Sequence, residues 1–370
     1  MIIDAHVYCF PALDALAGHR SVPEHLRVAQ WGHAGHQQPA FRVRDRAPAS
    51  SETTMLDPNG EPPWFLADVN FRVDHVHHRV VWTKDGEDFT KHYLPPNLHD
   101  TAFDAASCIA EMDYAGVDVA LMHVELMLGR DVAYLADCIR RYPDRLRSMA
   151  PVDEWRIRTE PDAVIREVTE AIKGFGLHAI KFSTYYAYRY THEAWDDGFY
   201  RPFWEAITKL GVPIFFTLLP NPDIVDKREA YLHELEILKR WMERYPDSVC
   251  SLTHGFPWRV YREGDGISLP DRIWEPFQNP NLNLEVSFPI RIGDWWDYPW
   301  RETWPTMEAM VRNVGSDRLL WGTDMPFQNR FCTYRQSREY IEKYLDFLGP
   351  DDLRMIMAGT AARLLGIPNP

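Results

Sequence analysis

The chain has 370 residues, of which 45% are hydrophobic, and its formal net charge is −14. This length and composition fit one large core with an insertion better than two equal domains. The negative charge argues against nucleic acid or an anionic membrane surface as a partner, because both attract a positive surface, although a locally basic pocket can still bind an anionic small molecule.

The five cysteines are far apart in the sequence, and no CxxC pair occurs. Neither a disulfide framework nor a cysteine zinc site is therefore predicted. The N-terminus lacks a basic region followed by an apolar stretch of signal-peptide length, and no apolar run elsewhere has the length of a membrane span. We expect a cytoplasmic protein that has no membrane partner.

From about residue 102 onward, short apolar runs alternate with longer helical patterns, which is typical of βαβ units and a parallel sheet. The predicted strands are Ile2–Val7, Val117–Val124, Leu146–Val152, Ala179–Ser183, Val212–Leu218, Val249–Thr253, Leu282–Val286 and Leu319–Thr323. The predicted helices are Ala102–Ala115, Asp131–Arg141, Asp162–Lys173, Pro202–Leu210, Tyr231–Tyr245 and Trp304–Val314. Eight strands, with no glycine-rich phosphate loop after any of them, favour an α/β fold of the (β/α)8 TIM barrel class over an open doubly wound sheet.

Residues 11–100 interrupt this alternation with a long segment rich in Pro, His, Trp and charge, inserted after the first strand. Two alternating runs within it flank Asp85-Gly86, which is a strong signal for a β-hairpin. The segment leaves the first strand at its C-terminal end, where TIM barrels carry their active sites. We therefore expect a single barrel domain over residues 1–370, with residues 11–100 forming a lid or an oligomer contact.

Polar residues stand at the C-terminal ends of several predicted strands, and barrel topology brings such residues together. These residues are Asp4, His6, Tyr8, His123, Glu125, Lys181, Ser183, Thr217, His254 and Asp324. Histidines, carboxylates and a lysine in one mouth indicate an acid/base site, a metal site, or both. Three further histidines (His75, His77 and His78) lie in the insertion without a carboxylate or cysteine pattern, and a solvated surface is the simpler interpretation of them.

Five stretches of the sequence resemble the amidohydrolase-related (amidohydrolase 2) family, typified by aminocarboxymuconate semialdehyde decarboxylase and γ-resorcylate decarboxylase. They are residues 3–11 (IDAHVYCFP), 199–220 (FYRPFWEAITKLGVPIFFTLLP), 252–255 (LTHG), 318–326 (RLLWGTDMP) and 358–366 (AGTAARLLG). The resemblance covers the predicted barrel from end to end and misses only the insertion. It implies the same barrel fold and an enzyme of the lyase or hydrolase type.

The resemblance also implies four metal ligands, which are two histidines of the first strand, one at the end of the fifth and the aspartate of the eighth. His6 and Asp324 occupy two of these positions, but Tyr8 and Thr217 stand at the other two, and neutral hydroxyls are poor ligands for such a cation. His254 corresponds to the sixth-strand histidine that contacts substrate or activated water. His6, His254 and Asp324 could hold a divalent metal, zinc or manganese, and catalysis without a metal is the alternative.

Three functions are compatible with these residues. The resemblance favours a non-oxidative decarboxylase of a small aromatic or unsaturated carboxylic acid, with Asp324 delivering a proton to the ring carbon and His254 holding a neighbouring group. The first alternative is a hydrolase of the lactonase or amidase type, acting on a small cyclic carboxylated substrate with Asp324 as general base, with or without a metal. The second is a catalytically inactive barrel that only binds ligands.

The predicted partner is a small-molecule carboxylate. Tyr8, Lys181 and Thr217 are predicted to line its pocket, and Trp258 and Arg259 to stack on it and clamp it. The family resemblance further implies a homo-oligomer, most simply a dimer.

Overall fold

The computed structural model describes residues 1–50, 52–61, 64–188 and 191–368. The described residues do not include residues 51, 62–63, 189–190, 369 and 370. Residues 51 and 62–63 fall within the predicted insertion, and the others fall within the predicted chain-long domain. No helix in the described part of the chain is both long enough and apolar enough to cross a membrane.

Strands alternate with helices along most of the described residues. The strands are β1 (Ile3–Val7), β2 (Ala40–Arg42), β3 (Arg72–Asp74), β4 (Arg79–Lys84), β5 (Glu87–Lys91), β6 (Val119–Met122), β7 (Leu146–Ala150), β8 (Ala179–Ser183), β9 (Ile214–Thr217), β10 (Cys250–Leu252), β11 (Arg262–Glu263), β12 (Gly266–Ile267), β13 (Leu282–Val286) and β14 (Leu319–Trp321). The helices are α1 (Val22–Gly35), α2 (Ala105–Ala115), α3 (Val132–Arg141), α4 (Pro161–Lys173), α5 (Thr184–Ala187), α6 (Arg201–Ile207), α7 (Lys227–Arg244), α8 (Phe288–Ile292), α9 (Trp304–Val314), α10 (Tyr334–Tyr344), α11 (Pro350–Arg354) and α12 (Thr360–Leu365), with a π-helix at Met355–Gly359 before α12. Short 3₁₀-helices include Trp258–Tyr261 after β10 and Phe327–Arg330 after β14.

Eight parallel strands form one sheet in the order β1-β6-β7-β8-β9-β10-β13-β14. Backbone hydrogen bonds join the first strand to the segment after the last, because the Tyr8 N–H donates to the Met325 carbonyl at 2.7 Å and the Asp324 N–H donates to the His6 carbonyl at 2.8 Å. The predicted (β/α)8 barrel is therefore confirmed. All eight predicted barrel strands occur, and their ends agree with the structure to within two residues.

The hydrophobic pattern did not predict helix α1 near the start of the chain or helix α10 near its end. Helix α1 belongs to the insertion, and α10 packs against α2 on the outside of the barrel. Helix α10 begins with a capping box, in which the Thr333 side chain accepts from the Gln336 N–H and the Gln336 side chain accepts from the Thr333 N–H. A Thr-x-x-Gln spacing is readable in the sequence, so this helix start had a local signal.

An irregularity in β1 decides which of its side chains enter the barrel. Asp4 pairs in register with Ala120, but Val7 pairs with Met122, so β1 has one residue more than β6 between these points. Such a β-bulge changes the direction of the side chains that follow it. As a result Asp4 contacts Tyr334 of α10, whereas His6 stacks on His123 inside the barrel.

Asp4 holds the two ends of the barrel sheet together. Its Oδ1 accepts from the backbone N–H groups of His6 (2.9 Å) and Thr323 (3.1 Å), and its Oδ2 accepts from the hydroxyls of Thr323 (2.5 Å) and Tyr334 (2.7 Å). The carboxylate is fully buried, so all four donors would lose their partner together if it were removed.

Replacing Asp4 by Ala should lower the free energy of unfolding by about 2–4 kcal/mol, because buried donors without a partner are costly. Asp4→Asn should cost less, since its Oδ1 still accepts from the two backbone groups and both hydroxyls can turn to accept from the amide. Urea unfolding measures both. Asp118→Ala is a matched control, because the exposed Asp118 carboxylate accepts from the Ile2 N–H at 2.7 Å and lies 3.9 Å from the Met1 amino group, both just before β1. Equal losses in Asp4→Ala and Asp118→Ala would contradict the role given to Asp4.

The insertion between β1 and β6 consists of α1 and a four-stranded antiparallel sheet in the order β2-β5-β4-β3. Strands β4 and β5 pair across Asp85-Gly86, both of which have positive φ (51° and 78°), as a type I′ turn requires. The insertion packs on the C-terminal side of the barrel, where Trp31 of α1 stacks on Tyr185 of α5 at 4.7 Å between ring centroids. Tyr93, which follows β5, lies 4.9 Å from Phe327 in the segment after β14.

Candidate functional site

His6 is held at the centre of the barrel by a carboxylate on the seventh strand. Both carboxylate oxygens of Glu285, on β13, lie 3.0 Å from the His6 Nδ1, and both side chains are fully buried. This contact places the imidazole proton on Nδ1 and leaves Nε2 with its lone pair directed to the other side. The Tyr8 hydroxyl lies 3.1 Å from that Nε2 and can donate to it.

Asp324 lies on the Nε2 side of the His6 imidazole. Its Oδ1 is 3.2 Å from the His6 Nε2 and 3.7 Å from the His254 Nε2, and the two imidazole rings stack at 4.6 Å. Both Asp324 and His254 have a φ of 65°, in the left-handed region that side chains other than glycine seldom adopt. Two such conformations at the ends of β10 and β14 are typical of residues held in place for function.

Burial and charge set the protonation of these three groups. Burial lowers the pKa of His6 to about 3 and that of His254 to about 4, so both imidazoles are neutral at pH 7. Burial alone would raise the pKa of Asp324, but its histidine contacts and the charge of Lys181 outweigh burial and hold the pKa below its ordinary value. The centre therefore contains one carboxylate facing two neutral imidazoles.

The donor atoms of these residues fit a divalent metal. The ligand atoms of His6, His254 and Asp324 all lie within 4.8 Å of one another. The His254 Nε2 is buried without a hydrogen-bond partner, and the His6 Nε2 lone pair faces a carboxylate oxygen. A cation between them would satisfy both nitrogens, and the Glu285–His6 contact is the arrangement that orients metal-binding histidines. A second group, comprising His6, His123 and Glu285, fits less well, because Glu285 already bonds His6 and the His123 Nε2 bonds the Ala5 carbonyl.

The predicted pocket residues lie on three barrel strands or directly after them: Tyr8 follows β1, Lys181 lies within β8 and Thr217 ends β9. Lys181 is 4% exposed. Its Nζ lies 3.4 Å from the Tyr8 hydroxyl and 5.5 Å from the centre of the Tyr8 ring. Thr217 has a buried hydroxyl without a hydrogen-bond partner. A cavity of about 30 Å³, room for one water molecule, adjoins Lys181 on the side of Glu125, whose carboxylate accepts from Tyr186.

Two predicted residues lie in positions that do not suit their predicted roles. Trp258 is completely buried, packs on Phe288 at 4.7 Å, and donates its indole N–H to the His254 carbonyl at 3.0 Å. It therefore supports the turn that carries His254 and has no free face to stack on a ligand. Arg259 pairs with Asp294 and donates to the Arg291 carbonyl, so its charge is already neutralised by the protein.

Glu285, Arg291 and Arg330 are functional candidates that the sequence reasoning missed. A Glu within the apolar run of β13 was a readable signal, because a charged residue at an inward position of a buried strand needs a partner. Arg291 belongs to α8 and Arg330 to the 3₁₀-helix after β14, two elements that pack together beside Asp324. Isolated arginines after a strand carry no such signal in the sequence.

Neither arginine is paired with a carboxylate among the described residues. Burial lowers the pKa of Arg291 and lowers the pKa of Arg330 to about 10. The negative charge of Asp324 acts in the other direction and raises the pKa of both arginines. Arg330 donates its Nε–H to the Phe327 carbonyl at 3.0 Å and lies 5.6 Å from the Tyr93 ring centre, while its Nη1 is buried without a partner. Arg330 also lines a surface groove of about 1130 Å³, together with residues of α2 and the start of α10.

Comparison with known proteins relates this geometry to a family. A model described as amidohydrolase matches residues 73–367. Over 224 residues the chain is 25% identical to a γ-resorcylate decarboxylase of Rhizobium radiobacter, in a match that covers 52% of this chain and 63% of the relative, less than two thirds of its length.

Two solved structures share the fold. One is a dihydroxybenzoic acid decarboxylase of Polaromonas sp. with bound manganese and an inhibitor (TM-score 0.53, 19% identity, covering 74% of this chain and 89% of that one). The other is a probable 2-pyrone-4,6-dicarboxylic acid hydrolase of Acinetobacter baumannii with citric acid bound (TM-score 0.54, 16% identity, covering 74% and 92%). The resemblance predicted from the barrel motifs is confirmed, since the family model matches most of the barrel: the chain belongs to the amidohydrolase family.

Proposed function

We propose that this protein is a non-oxidative decarboxylase of a small aromatic or unsaturated carboxylic acid. The observation that carries the proposal is the ionised carboxylate of Asp324 facing the neutral imidazoles of His6 and His254, at 3.2 and 3.7 Å. The similarity to the γ-resorcylate decarboxylase of Rhizobium radiobacter supports the same reaction class. Asp324 and His254 are the proposed catalytic residues.

The charges around this centre support an anionic substrate. Lys181, Arg291 and Arg330 are buried or half-buried cations, and none of them forms a salt bridge with a carboxylate in the described part of the chain. Buried guanidinium groups without a counter-ion are costly, so an anionic ligand that enters replaces their lost hydration. We assign the substrate carboxylate to Lys181 or to the arginine pair, and not to Arg259.

Asp324 has to gain a proton before it can protonate carbon. A substrate anion bound next to Asp324 raises its proton affinity, because two like charges at short distance disfavour the ionised form. Asp324 then gives this proton to the ring carbon that bears the carboxylate, the electron pair of the carbon–carboxylate bond returns to the ring, and carbon dioxide leaves. The balance is one substrate anion and one proton giving one arene and one carbon dioxide.

His6, His254 and Asp324 would hold a divalent cation, zinc or manganese, and Glu285 would orient His6 from behind. Such a cation supplies positive charge that neutralises a substrate carboxylate or phenolate. The Tyr8 hydroxyl remains close enough to bond a substrate oxygen, and its rigid position against Phe327 (5.5 Å between ring centroids) orients a planar ligand.

A hydrolase is the second candidate, and one observation favours it. Tyr8 and Thr217 stand at two positions where the family resemblance implies metal ligands. The protein would therefore hold the metal with fewer ligands than the family at large, which is unfavourable for a substrate that the metal has to chelate. A carboxylate that faces two imidazoles can equally act as general base on water.

Product analysis separates the two reactions. The purified protein, supplied with manganese or zinc, is incubated with 2,6-dihydroxybenzoate and, separately, with 2-pyrone-4,6-dicarboxylate, and the products are identified by mass spectrometry. We expect carbon dioxide in equal amount to a decarboxylated product from the aromatic acid. A product that has gained water, without carbon dioxide, would instead identify a hydrolase.

Removing one arginine should weaken substrate binding more than turnover. Arg330→Gln keeps a polar side chain but loses the charge, and we expect KM to rise about 10- to 100-fold with a smaller change in kcat, because a charge-assisted bond to a carboxylate contributes about 1.5–3 kcal/mol. Arg335→Gln is a matched control, since Arg335 pairs with Glu339 on the outside of α10. A KM unchanged in Arg330→Gln would argue against a carboxylate at this position.

A further inference from the structure

A second group of metal-binding side chains lies on the insertion, away from the barrel centre. Three segments that are distant in the sequence meet here: the turn between β3 and β4 with His75 and His78, the loop before α2 with His99 and Asp100, and the loop after β1 with Asp14. The carboxylate next to this turn in the sequence, Asp74, bonds His77 and Arg79, so carboxylates for His75 and His78 have to come from elsewhere in the fold. The fold supplies two, one from each of the other segments.

Asp100 is the centre of this group. Its Oδ1 lies 3.4 Å from the His75 Nδ1 and 3.2 Å from the His78 Nδ1, and its Oδ2 lies 3.3 Å from the His99 Nδ1. The rings of His78 and His99 are 4.6 Å apart, and the ligand atoms of His78, His99 and Asp100 all lie within 4.8 Å of one another. One carboxylate surrounded by three imidazoles is a donor set suited to a metal ion, and a metal bound at the His78 Nδ1 would replace the hydrogen bond that this nitrogen accepts from the Asp100 backbone N–H at 3.1 Å.

Asp14 gives His75 the orientation that a ligand needs. The Asp14 Oδ2 lies 2.8 Å from the His75 Nε2, so one ring nitrogen bonds a carboxylate and the other faces Asp100. This is the carboxylate–histidine arrangement that fixes the ring and the tautomer of metal-binding histidines. The nearby Arg79 is occupied by Asp74, which also bonds His77, so this cation is directed away from the group.

The backbone at these ligands is unusual as well. His78 and Asp100 have φ values of 52° and 49°, and the next residue, Thr101, has a φ of 57°. Left-handed conformations of residues other than glycine are unfavourable and tend to cluster at ligand-binding positions. Here they direct the His78 and Asp100 side chains towards each other from two different loops.

We propose that His78, His99 and Asp100, with His75 as the fourth ligand, bind a divalent transition metal of the zinc type, which fastens the turn between β3 and β4 to the loop that leads into α2. Imidazole nitrogens with one carboxylate oxygen suit zinc better than calcium or magnesium. Zinc–nitrogen bonds of about 2.1 Å require ligand atoms about 3.4 Å apart in a tetrahedron, so the group has to contract slightly. The His99 side chain, 84% exposed, has room for this movement, whereas His75 is held in place by Asp14.

Zinc binding to the full-length protein tests the proposal separately from any catalytic activity. The barrel centre is first weakened by Asp324→Asn, the metal is stripped with a chelator, and zinc chloride is titrated in competition with a chromogenic chelator. We compare this protein with one that also carries His78→Ala and His99→Ala. His77→Ala is the matched control, because His77 bonds Asp74 and lies outside the donor set.

We expect one zinc equivalent that survives Asp324→Asn, is unchanged in His77→Ala, and is weakened more than about tenfold by the double substitution. Zinc should also raise the melting temperature of the Asp324→Asn protein but not that of the doubly substituted one, while the two proteins melt alike without zinc. If the double substitution leaves the number and affinity of bound zinc ions unchanged, the site does not exist. Wild-type protein that binds this zinc ion but releases no carbon dioxide from the aromatic acid would count against the proposed decarboxylase and leave the second site in place.

Discussion

Asp324→Asn is expected to lower the turnover of the substrate identified by product analysis by a factor on the order of 10³, the size that a positioned proton donor contributes. An amide cannot carry the proton to carbon, and it also loses the charge that faces His6 and His254. The change should appear in kcat and in kcat/KM together, because the lost interaction acts in the transition state.

Asp346→Asn is the control for this substitution, since Asp346 is an exposed carboxylate that forms no ion pair among the described residues. Metal analysis of both proteins by plasma mass spectrometry gives a second readout. The zinc or manganese content should fall in Asp324→Asn and stay unchanged in Asp346→Asn. Near-normal turnover of Asp324→Asn would remove this residue from the catalytic role.

Glu285→Gln is expected to weaken metal binding at the barrel centre by about 10- to 100-fold, the usual effect of losing the carboxylate behind a histidine ligand. Burial raises the pKa of Glu285 to about 7, and both oxygens face the His6 Nδ1 at 3.0 Å. Glutamine keeps the shape of the Glu285 side chain, but only its amide oxygen can accept from the His6 Nδ1–H. Its NH₂ group is a donor and is unfavourable beside the same N–H. His6 therefore becomes a weaker and less firmly oriented ligand.

The affinity is measured by competition with a chelator, on protein that carries His78→Ala and His99→Ala so that zinc on the insertion does not interfere. Glu308→Gln, an exposed change on α9, serves as the control. Removing the metal with a chelator should abolish turnover in all these proteins, and adding metal should restore it. Glu285→Gln should need the highest metal concentration for this recovery. Wild-type protein that turns over substrate without metal would overturn the metal assignment, and Asp324 and His254 would then act alone.

Much of the barrel was readable from the sequence, because parallel strands buried on both faces require continuous apolar runs. Strands β8 and β13 were predicted residue for residue. The same logic placed His6, His254 and Asp324 together, since residues at the C-terminal ends of barrel strands converge whatever their separation along the chain. Their catalytic and metal-binding roles stay predictions until the substitutions above are measured.

The tertiary structure alone decided how the individual side chains are used. Alternation along β1 would have put Asp4 and His6 on one face, but the bulge between Asp4 and Val7 breaks this alternation, so Asp4 contacts α10 while His6 lies inside the barrel. Pairing across the fold neutralises Arg259 and leaves Arg330 without a carboxylate partner in the part of the chain that the structure describes, and no local pattern distinguishes these two arginines.

The histidines of the insertion show the same division. The carboxylate beside them in the sequence, Asp74, bonds His77 and Arg79, and Asp100 and Asp14 reach His75 and His78 only because two other loops fold back to the same point. Local sequence determines strands, helices and turns through short-range sterics and the period of burial. The partner of a charged side chain depends on long-range contacts, and those exist only once the chain has folded.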